Sequence, residues 1–138
     1  MRFMVMVKAN KGTEAGEMPS EAQLAEMGRF NEEMAKAGVM LSGEGLHPTV
    51  KGARIRFSDK GATAVDGPFP ADGLVCGFWM IETASRDEAI AWMKRAPFAP
   101  GDELELRQVF EAEDFGEALT PELRQQEERL RVEVAARR

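Results

Sequence analysis

Two short segments hold the side chains best suited to chemistry. Histidine is the side-chain type whose ordinary pKa lies near neutrality, and His47 is the only histidine in the chain. Asp66 precedes a Gly67-Pro68 turn and apolar Phe69, where a carboxylate could lose water and act as a general base. If the two loops meet, His47 and Asp66 could form a base and its orienting partner. Alternatively, Asp66 caps the turn and His47 is an exposed loop residue.

Four further side chains near these segments could bind a ligand. Glu44 lies between two glycines that allow close approach of a ligand or backbone, although a strand bulge has the same pattern. Arg54 could bind a carboxylate, or it could be solvated or paired with Glu105. Trp79 could form an aromatic wall for a planar ligand with Phe78 and Trp92, although alternation lets at most one of Phe78 and Trp79 face the cleft and places the other in the core. Phe69 belongs to the 66–69 segment that bounds the predicted cleft.

The sequence predicts no metal and no cofactor. With one histidine and a single cysteine, Cys76, a metal would need carboxylate ligands alone. The sequence contains no nucleotide-binding loop, nucleophile elbow or zinc pattern. Cys76 lies in an apolar strand, so we expect a core residue with a raised thiol pKa.

Length and charge limit the classes of protein further. A chain of 138 residues fits one domain, and its net charge of −6 argues against nucleic-acid binding. No apolar run approaches the roughly 20 residues of a membrane span, so we expect no membrane partner. The lone cysteine fits a reducing compartment, which predicts a cytoplasmic protein.

Apolar periodicity and capping residues predict the elements that position these side chains. Ser20 with Gln23, and Ser85 with Glu88, resemble capping boxes at the start of two helices. The predicted elements, in order, are a strand at 1–7, a polar loop at 10–19, a helix at 20–38, a strand at 39–46, a hairpin at 53–57 and 63–65, a strand at 75–81, a helix at 85–97, a strand at 103–110 and a charged helix from 120.

The same patterns predict which side chains face inward. The inner stripe of the first long helix comprises Leu24, Met27, Phe30, Asn31 and Met34. In the hairpin, Ile55 and Phe57 are expected to face inward because they alternate with arginines.

This element order predicts an α+β fold, a ferredoxin-like sandwich with two helices on one face of an antiparallel sheet. The strands at 1–7 and 75–81 are apolar on both faces, so the second face also needs a cover. A second copy of the chain would supply it, which predicts a homodimer in the form of a dimeric α/β barrel with a cleft between sheets and loops.

Seven segments of the chain match a known sequence pattern, namely 65–69 (VDGPF), 77–79 (GFW), 43–48 (GEGLHP), 51–54 (KGAR), 87–90 (DEAI), 105–115 (ELRQVFEAEDF) and 119–124 (LTPELR). In these segments the chain resembles the DGPF-motif branch of the YCII-related family. The resemblance implies one YCII-related domain over residues 1–138, of which 113–138 form a helical C-terminal extension. Residues 70–74 (PADGL) depart from the acidic-Thr-Lys-Glu stretch usual after the motif, so the usual lysine is missing.

The resemblance implies a dimeric ferredoxin-like fold. Distant relatives include small-molecule enzymes, among them a dehydrochlorinase of aromatic degradation, and other members are associated with extracytoplasmic-function sigma factors. The sequence therefore supports two hypotheses. The first is a small-molecule-binding protein or cofactor-independent enzyme of isomerase or lyase type, acting in the cleft next to 43–48 and 66–69. The second is a regulatory module that binds a sigma factor or other protein through its C-terminal helix.

Overall fold

The computed structural model describes residues 1–137, which form six strands and four α-helices. The elements are β1 (Arg2–Lys8), α1 (Lys11–Glu14), α2 (Glu21–Lys36), β2 (Met40–Gly45), β3 (Ala53–Ser58), β4 (Gly61–Asp66), β5 (Val75–Glu82), α3 (Arg86–Met93), β6 (Leu104–Gln108) and α4 (Pro121–Ala135). Two compact units result, one comprising Met1–Gln108 and the other beginning at Val109.

The first unit is built on an antiparallel sheet of four strands in the order β2-β5-β1-β6. In its register, Val5 of β1 lies opposite Trp79 of β5 on one side and Leu106 of β6 on the other. A register shift in β2 falls between Met40 and Ser42 rather than at Glu44. Strands β3 and β4 pair only with each other, as the predicted hairpin. The predicted α+β class with antiparallel sheets is confirmed.

The core lies between one face of this sheet and helices α2 and α3. Its buried apolar side chains are Phe3, Val5, Phe30, Met34, Val39, Trp79, Ile81, Ala89 and Met93. They alternate along β1 and β5 and recur at helical spacing in α2 and α3. Phe30 and Met34 belong to the predicted inner stripe of α2. Leu24 is an exception, since it is 58% exposed and lies in the first turn of α2, ahead of the buried part of the stripe.

The helix boundaries follow from their capping residues. Ser20 Oγ accepts from the Gln23 backbone N–H, and the Gln23 side chain accepts from the Ser20 backbone N–H, so the first predicted capping box is confirmed. Ser85 caps α3 through the Glu88 backbone N–H. The Glu88 carboxylate instead accepts from the backbone N–H of Ala84, one residue before the cap.

Two expectations for the first unit are wrong. The segment at 10–19 contains the short helix α1, because Asn10 and Thr13 form a capping box that the sequence analysis did not consider. In the hairpin, Ile55 and Phe57 do not face inward, since they are 55% and 82% exposed. The alternation of this hairpin is real, but its two strands form a sheet separate from the one that α2 and α3 cover.

The second unit contains α4, the helix predicted from 120, which Thr120 caps and in which Pro121 lies in the first turn. Glu127 and Arg131, four residues apart on this helix, form an ion pair at 3.0 Å. Leu123 and Leu130 are about half exposed, at 46% and 48%. No helix within residues 1–137 is both long and apolar enough to span a membrane.

Candidate functional site

A cavity of about 540 Å³ opens in the first unit, next to the ends of β2 and β5. Its walls come from the 10–19 segment, from α2, from the chain after β2 and from the loop after α3. Strand β2 ends here in Gly45, which pairs with Gly77, the third residue of β5. A Cβ added to Gly77 would lie 3.2 Å from the backbone oxygen of Glu44, so position 77 has little room for a side chain, whereas a Cβ at Gly45 would meet no atom within 4 Å.

Most of the cavity wall is apolar. The apolar residues that line it are Val7, Met18, Pro19, Met27, Leu46, Pro48, Phe78, Trp79 and Phe98. The polar or ionisable ones are Thr13, Glu17, Asn31, Glu44, His47 and Cys76. An apolar wall with a few polar groups is typical of sites for small organic molecules.

Trp79 and Asn31 form a polar contact at this wall. The indole N–H of Trp79 donates a hydrogen bond to Asn31 Oδ1 at 2.9 Å. Edge-on contacts with Phe30 at 5.9 Å and Phe98 at 6.1 Å, measured between ring centroids, hold the indole ring. A Cβ on Gly43 would lie 2.7 Å from Trp79 Cδ1, so glycine at this position lets the indole pack against β2.

The 10–19 wall is joined to the loop after β2 through Glu14. Its carboxylate accepts hydrogen bonds from the Thr49 backbone N–H, at 2.8 Å, and from the Thr49 hydroxyl. Thr49 Oγ1 in turn accepts from the backbone N–H of Phe69 at 2.8 Å. Thr49 therefore connects the segment that forms the cavity wall with the segment that follows β4.

The candidate residues fall into two places. Glu44, His47 and Trp79 line the cavity. Arg54 and Phe69 form a second cluster, in which the Arg54 guanidinium carbon lies 3.9 Å above the centre of the Phe69 ring.

Asp66 is the last residue of β4, where it pairs with Ala53 and is exposed. It precedes the Gly67–Phe69 turn of the second cluster and is not among the residues that line the cavity within the described chain. Glu105, the alternative partner of Arg54, forms its ion pairs with Lys8 and Arg107.

Cys76 lies on the cavity wall and is half-buried, so the expectation of a core position is wrong. Burial raises the pKa of the Cys76 thiol, as predicted, while a hydrogen bond with the Thr13 side chain acts in the opposite direction. Because the raised pKa favours the neutral thiol, Cys76 is a weak nucleophile near neutral pH. Within residues 1–137, no three His, Cys, Asp or Glu side chains are grouped so that they could hold a metal ion.

Sequence reasoning missed the role of Asn31 and of the 10–19 segment in the site. The available signal for Asn31 was a polar residue within the apolar stripe of α2, next to Phe30. For the 10–19 segment the signal was Asn10 followed three residues later by Thr13, which satisfies the local rule for a helix start. Neither pattern indicates by itself that the residues face a cavity.

Replacing Gly67 by alanine is expected to lower the free energy of unfolding by about 1–3 kcal/mol. The new Cβ would lie 1.8 Å from the backbone oxygen of Thr49, and backbone cannot move aside as a flexible side chain can. Denaturant unfolding would measure the loss, with Gly52→Ala as control, since a Cβ there lies 3.6 Å from the same oxygen. Equal stability of the two variants would contradict the tight packing of this turn on Thr49.

Comparison with known proteins gives a family match. The family model described as "YCII-related domain" matches residues 1–113. No curated protein sequence matches the chain. Among solved structures, the chain is similar to 5-chloro-2-hydroxyhydroquinone dehydrochlorinase (TftG) from Burkholderia phenoliruptrix AC1100, in complex with 2,5-dihydroxybenzoquinone. The TM-score is 0.42 with 16% identity, over 80% of this chain and 96% of that chain.

Proposed function

We propose that this chain, which belongs to the YCII-related domain family, binds a small and largely apolar organic molecule in the cavity next to β2 and β5. The observation that carries this proposal is the cavity itself, whose volume of about 540 Å³ suits a molecule of one or two rings. Its wall combines the Trp79 ring and several apolar side chains with a few polar groups. Such a wall favours ligands that bury apolar surface and make few polar contacts.

We further propose that the bound molecule undergoes proton transfer at His47. In such a step, the imidazole removes a proton from a carbon next to an electron-withdrawing group. The C–H bond breaks and its electron pair moves onto that group. Return of the proton to another carbon gives isomerisation, and expulsion of a leaving group gives elimination. These steps need no metal or cofactor, because the imidazole accepts the proton and then gives it to the other carbon in isomerisation, or to the departing group or water in elimination.

Among the two predicted proton-transfer residues, we propose His47 because it borders the cavity. Asp66 lies beside the second cluster, and we propose that Asp66, Arg54 and Phe69 shape the neighbouring loop. Glu44 is proposed as a polar ligand contact, since it borders the cavity beside Gly45, where an added Cβ would meet no atom within 4 Å.

The proposed binding predicts a saturable complex with ethylbenzene, used as an apolar probe of suitable size. NMR titration of the Trp79 indole N–H signal measures its dissociation constant. Gly45→Leu should weaken binding about tenfold or more, because it adds a side chain at the cavity wall where there is space. Gly28→Leu, at a position on α2 with equal space but outside the cavity, is the control. Absence of binding to the wild-type chain would refute the proposal.

We also propose that the first unit forms a homodimer of the dimeric α/β-barrel type. On the sheet face that alternates with the buried core residues, Met4 lies opposite Met80 and Met6 opposite Phe78. These four side chains are only partly buried in the single chain. A second copy packed on this face would remove their apolar surface from water. The strand order β2-β5-β1-β6, with α2 and α3 on the other face, supports a ferredoxin-like arrangement.

The alternative proposal is a regulatory module that binds a sigma factor or other protein through α4. Exposed apolar side chains along this charged helix favour it, most of all Val132, which is 71% exposed. The cavity supports small-molecule binding more directly, because it brings apolar and ionisable side chains together within one unit.

A further inference from the structure

The hydrogen bond between Trp79 and Asn31 determines which end of the Asn31 amide is available to a ligand. An indole N–H can only donate, so the amide must turn its oxygen toward Trp79. The amide nitrogen then points away from the indole, with two N–H donors of its own. The two flipped orientations of the Asn31 amide are therefore not equivalent, because only the one with Oδ1 toward the indole makes this hydrogen bond.

The Asn31 amide nitrogen is available at the cavity. Asn31 lines the cavity, and its side chain is only partly buried. Within residues 1–137, the hydrogen bond of the Asn31 side chain is that from Trp79 to Oδ1, which leaves Nδ2 without a partner. No side-chain nitrogen or oxygen in these residues is buried without a partner, so Nδ2 must be accessible. The amide N–H groups therefore remain open to a molecule in the cavity. Buried Phe30 and Met34 anchor the same stretch of α2 in the core, which holds Asn31 in place.

The charges around the cavity restrict the kind of acceptor that these donors would meet. The ionisable side chains of the described lining are Glu17, Glu44, His47 and Cys76, with no lysine or arginine among them. Two carboxylates without a fixed cation repel an anionic ligand. A neutral oxygen acceptor is not repelled in this way, and the apolar wall can pack against the rest of an uncharged molecule.

We propose that Asn31 determines specificity by donating a hydrogen bond from Nδ2 to the carbonyl oxygen of an uncharged, mainly apolar ligand. This inference rests on the proposed function of the cavity and names the chemical class of its ligand. In the proposed proton transfer, the same donor would stabilise negative charge that develops on the carbonyl oxygen.

Three probes of similar size test this assignment on the full chain. Acetophenone carries a neutral carbonyl, ethylbenzene lacks the acceptor, and benzoate carries a carboxylate. We expect acetophenone to bind about fivefold to tenfold more tightly than ethylbenzene, which is the effect of one hydrogen bond. Benzoate should bind more weakly than acetophenone. In the wild-type chain, acetophenone but not ethylbenzene should shift the proton signals of the Asn31 side-chain amide downfield.

The variant Asn31→Asp separates ligand recognition from support of Trp79. Aspartate keeps an oxygen that accepts from the Trp79 indole N–H, but it places a second oxygen where Asn31 has its donors. We expect this variant to lose the five- to tenfold preference for acetophenone while its affinity for ethylbenzene stays within about twofold. Gln126→Glu makes the same chemical change at an exposed position of α4 and is the control.

Failure of this inference can be distinguished from failure of the proposed function. If acetophenone and ethylbenzene bind the wild-type chain equally, or if Asn31→Asp keeps the preference, the assignment to Asn31 is wrong and the binding cavity stands. If benzoate binds most tightly, the ligand class is wrong. If none of the three probes binds, both proposals are overturned. A preference lost in Asn31→Asp and kept in Gln126→Glu supports the assignment.

Discussion

Replacing His47 by alanine is expected to slow proton exchange at the methyl group of bound acetophenone by about 100-fold or more, the usual contribution of a general base. The methyl protons lie next to the carbonyl and are therefore weakly acidic. In heavy water, each removal and return of a proton replaces hydrogen by deuterium, so proton NMR measures the rate directly. His47 is the histidine at the cavity wall, and alanine offers no group to take its place.

The control for this experiment is Asp66→Asn, which removes a charge outside the cavity lining. It should leave the exchange rate within about twofold of wild type, as expected for an exposed substitution away from the reacting atoms. If Asp66→Asn slows exchange as much as His47→Ala, the two residues work together despite their separate surroundings. If the wild-type chain exchanges the protons no faster than buffer, proton transfer at His47 is refuted while binding in the cavity remains testable.

A sound exchange experiment also requires that His47→Ala still bind the probe. His47 lies in the loop after β2 and is exposed, so its loss removes little buried surface. The dissociation constant for acetophenone should therefore stay within about threefold of the wild-type value, which is the effect of losing one weak contact. A variant that binds normally but exchanges slowly would separate the chemical step from ligand capture.

Most of the fold could be predicted because the capping signals and the pattern of apolar residues indicate the same helices and strands. Ser20 with Gln23 specifies the start of α2, and Gly38 adopts the positive φ of +74° that ends this helix region. The apolar runs of β1 and β5 predicted two buried strands, and the structure shows which face of each packs on α2 and α3. Both signals depend on residues close together in sequence.

The candidate site was harder to predict because it depends on contacts distant in sequence. His47 and Glu44 were named for their residue type and their glycine-rich surroundings. Their common cavity with Asn31 arises only when β2 pairs with β5 and α2 packs over the sheet. No local rule states that the carboxylate of Glu14 accepts from Thr49, a residue 35 positions away. The placement of Asp66 in a different cluster has the same origin, since the hairpin pairs only with itself.

The hairpin shows where a correct pattern leads to a wrong conclusion. Ile55 and Phe57 alternate with arginines, which correctly predicts a strand but not what covers its apolar side. Alternation indicates that one face differs from the other in polarity. Whether that face is buried depends on which element packs on it, and in the single chain both side chains are exposed.

Replacing Met34 by alanine is expected to lower the free energy of unfolding by about 2–5 kcal/mol, the range for large-to-small changes in a core. Met34 is completely buried between α2 and the sheet, so its truncation leaves a cavity and removes apolar contacts. Denaturant unfolding followed by tryptophan fluorescence suits the measurement, because Trp79 and Trp92 both lie in the first unit.

Leu24→Ala is the matched control for this substitution, since Leu24 lies on the same helix but is 58% exposed. It should change the free energy of unfolding by no more than about 1 kcal/mol, because little of its surface is buried. Met34 lies one turn after Asn31, so loosening this part of α2 should also weaken binding of acetophenone more than Leu24→Ala does. If Met34→Ala loses under about 1 kcal/mol, α2 is not the anchor of the core that its burial indicates. Asn31 would then lack the rigid support that its proposed role in specificity requires.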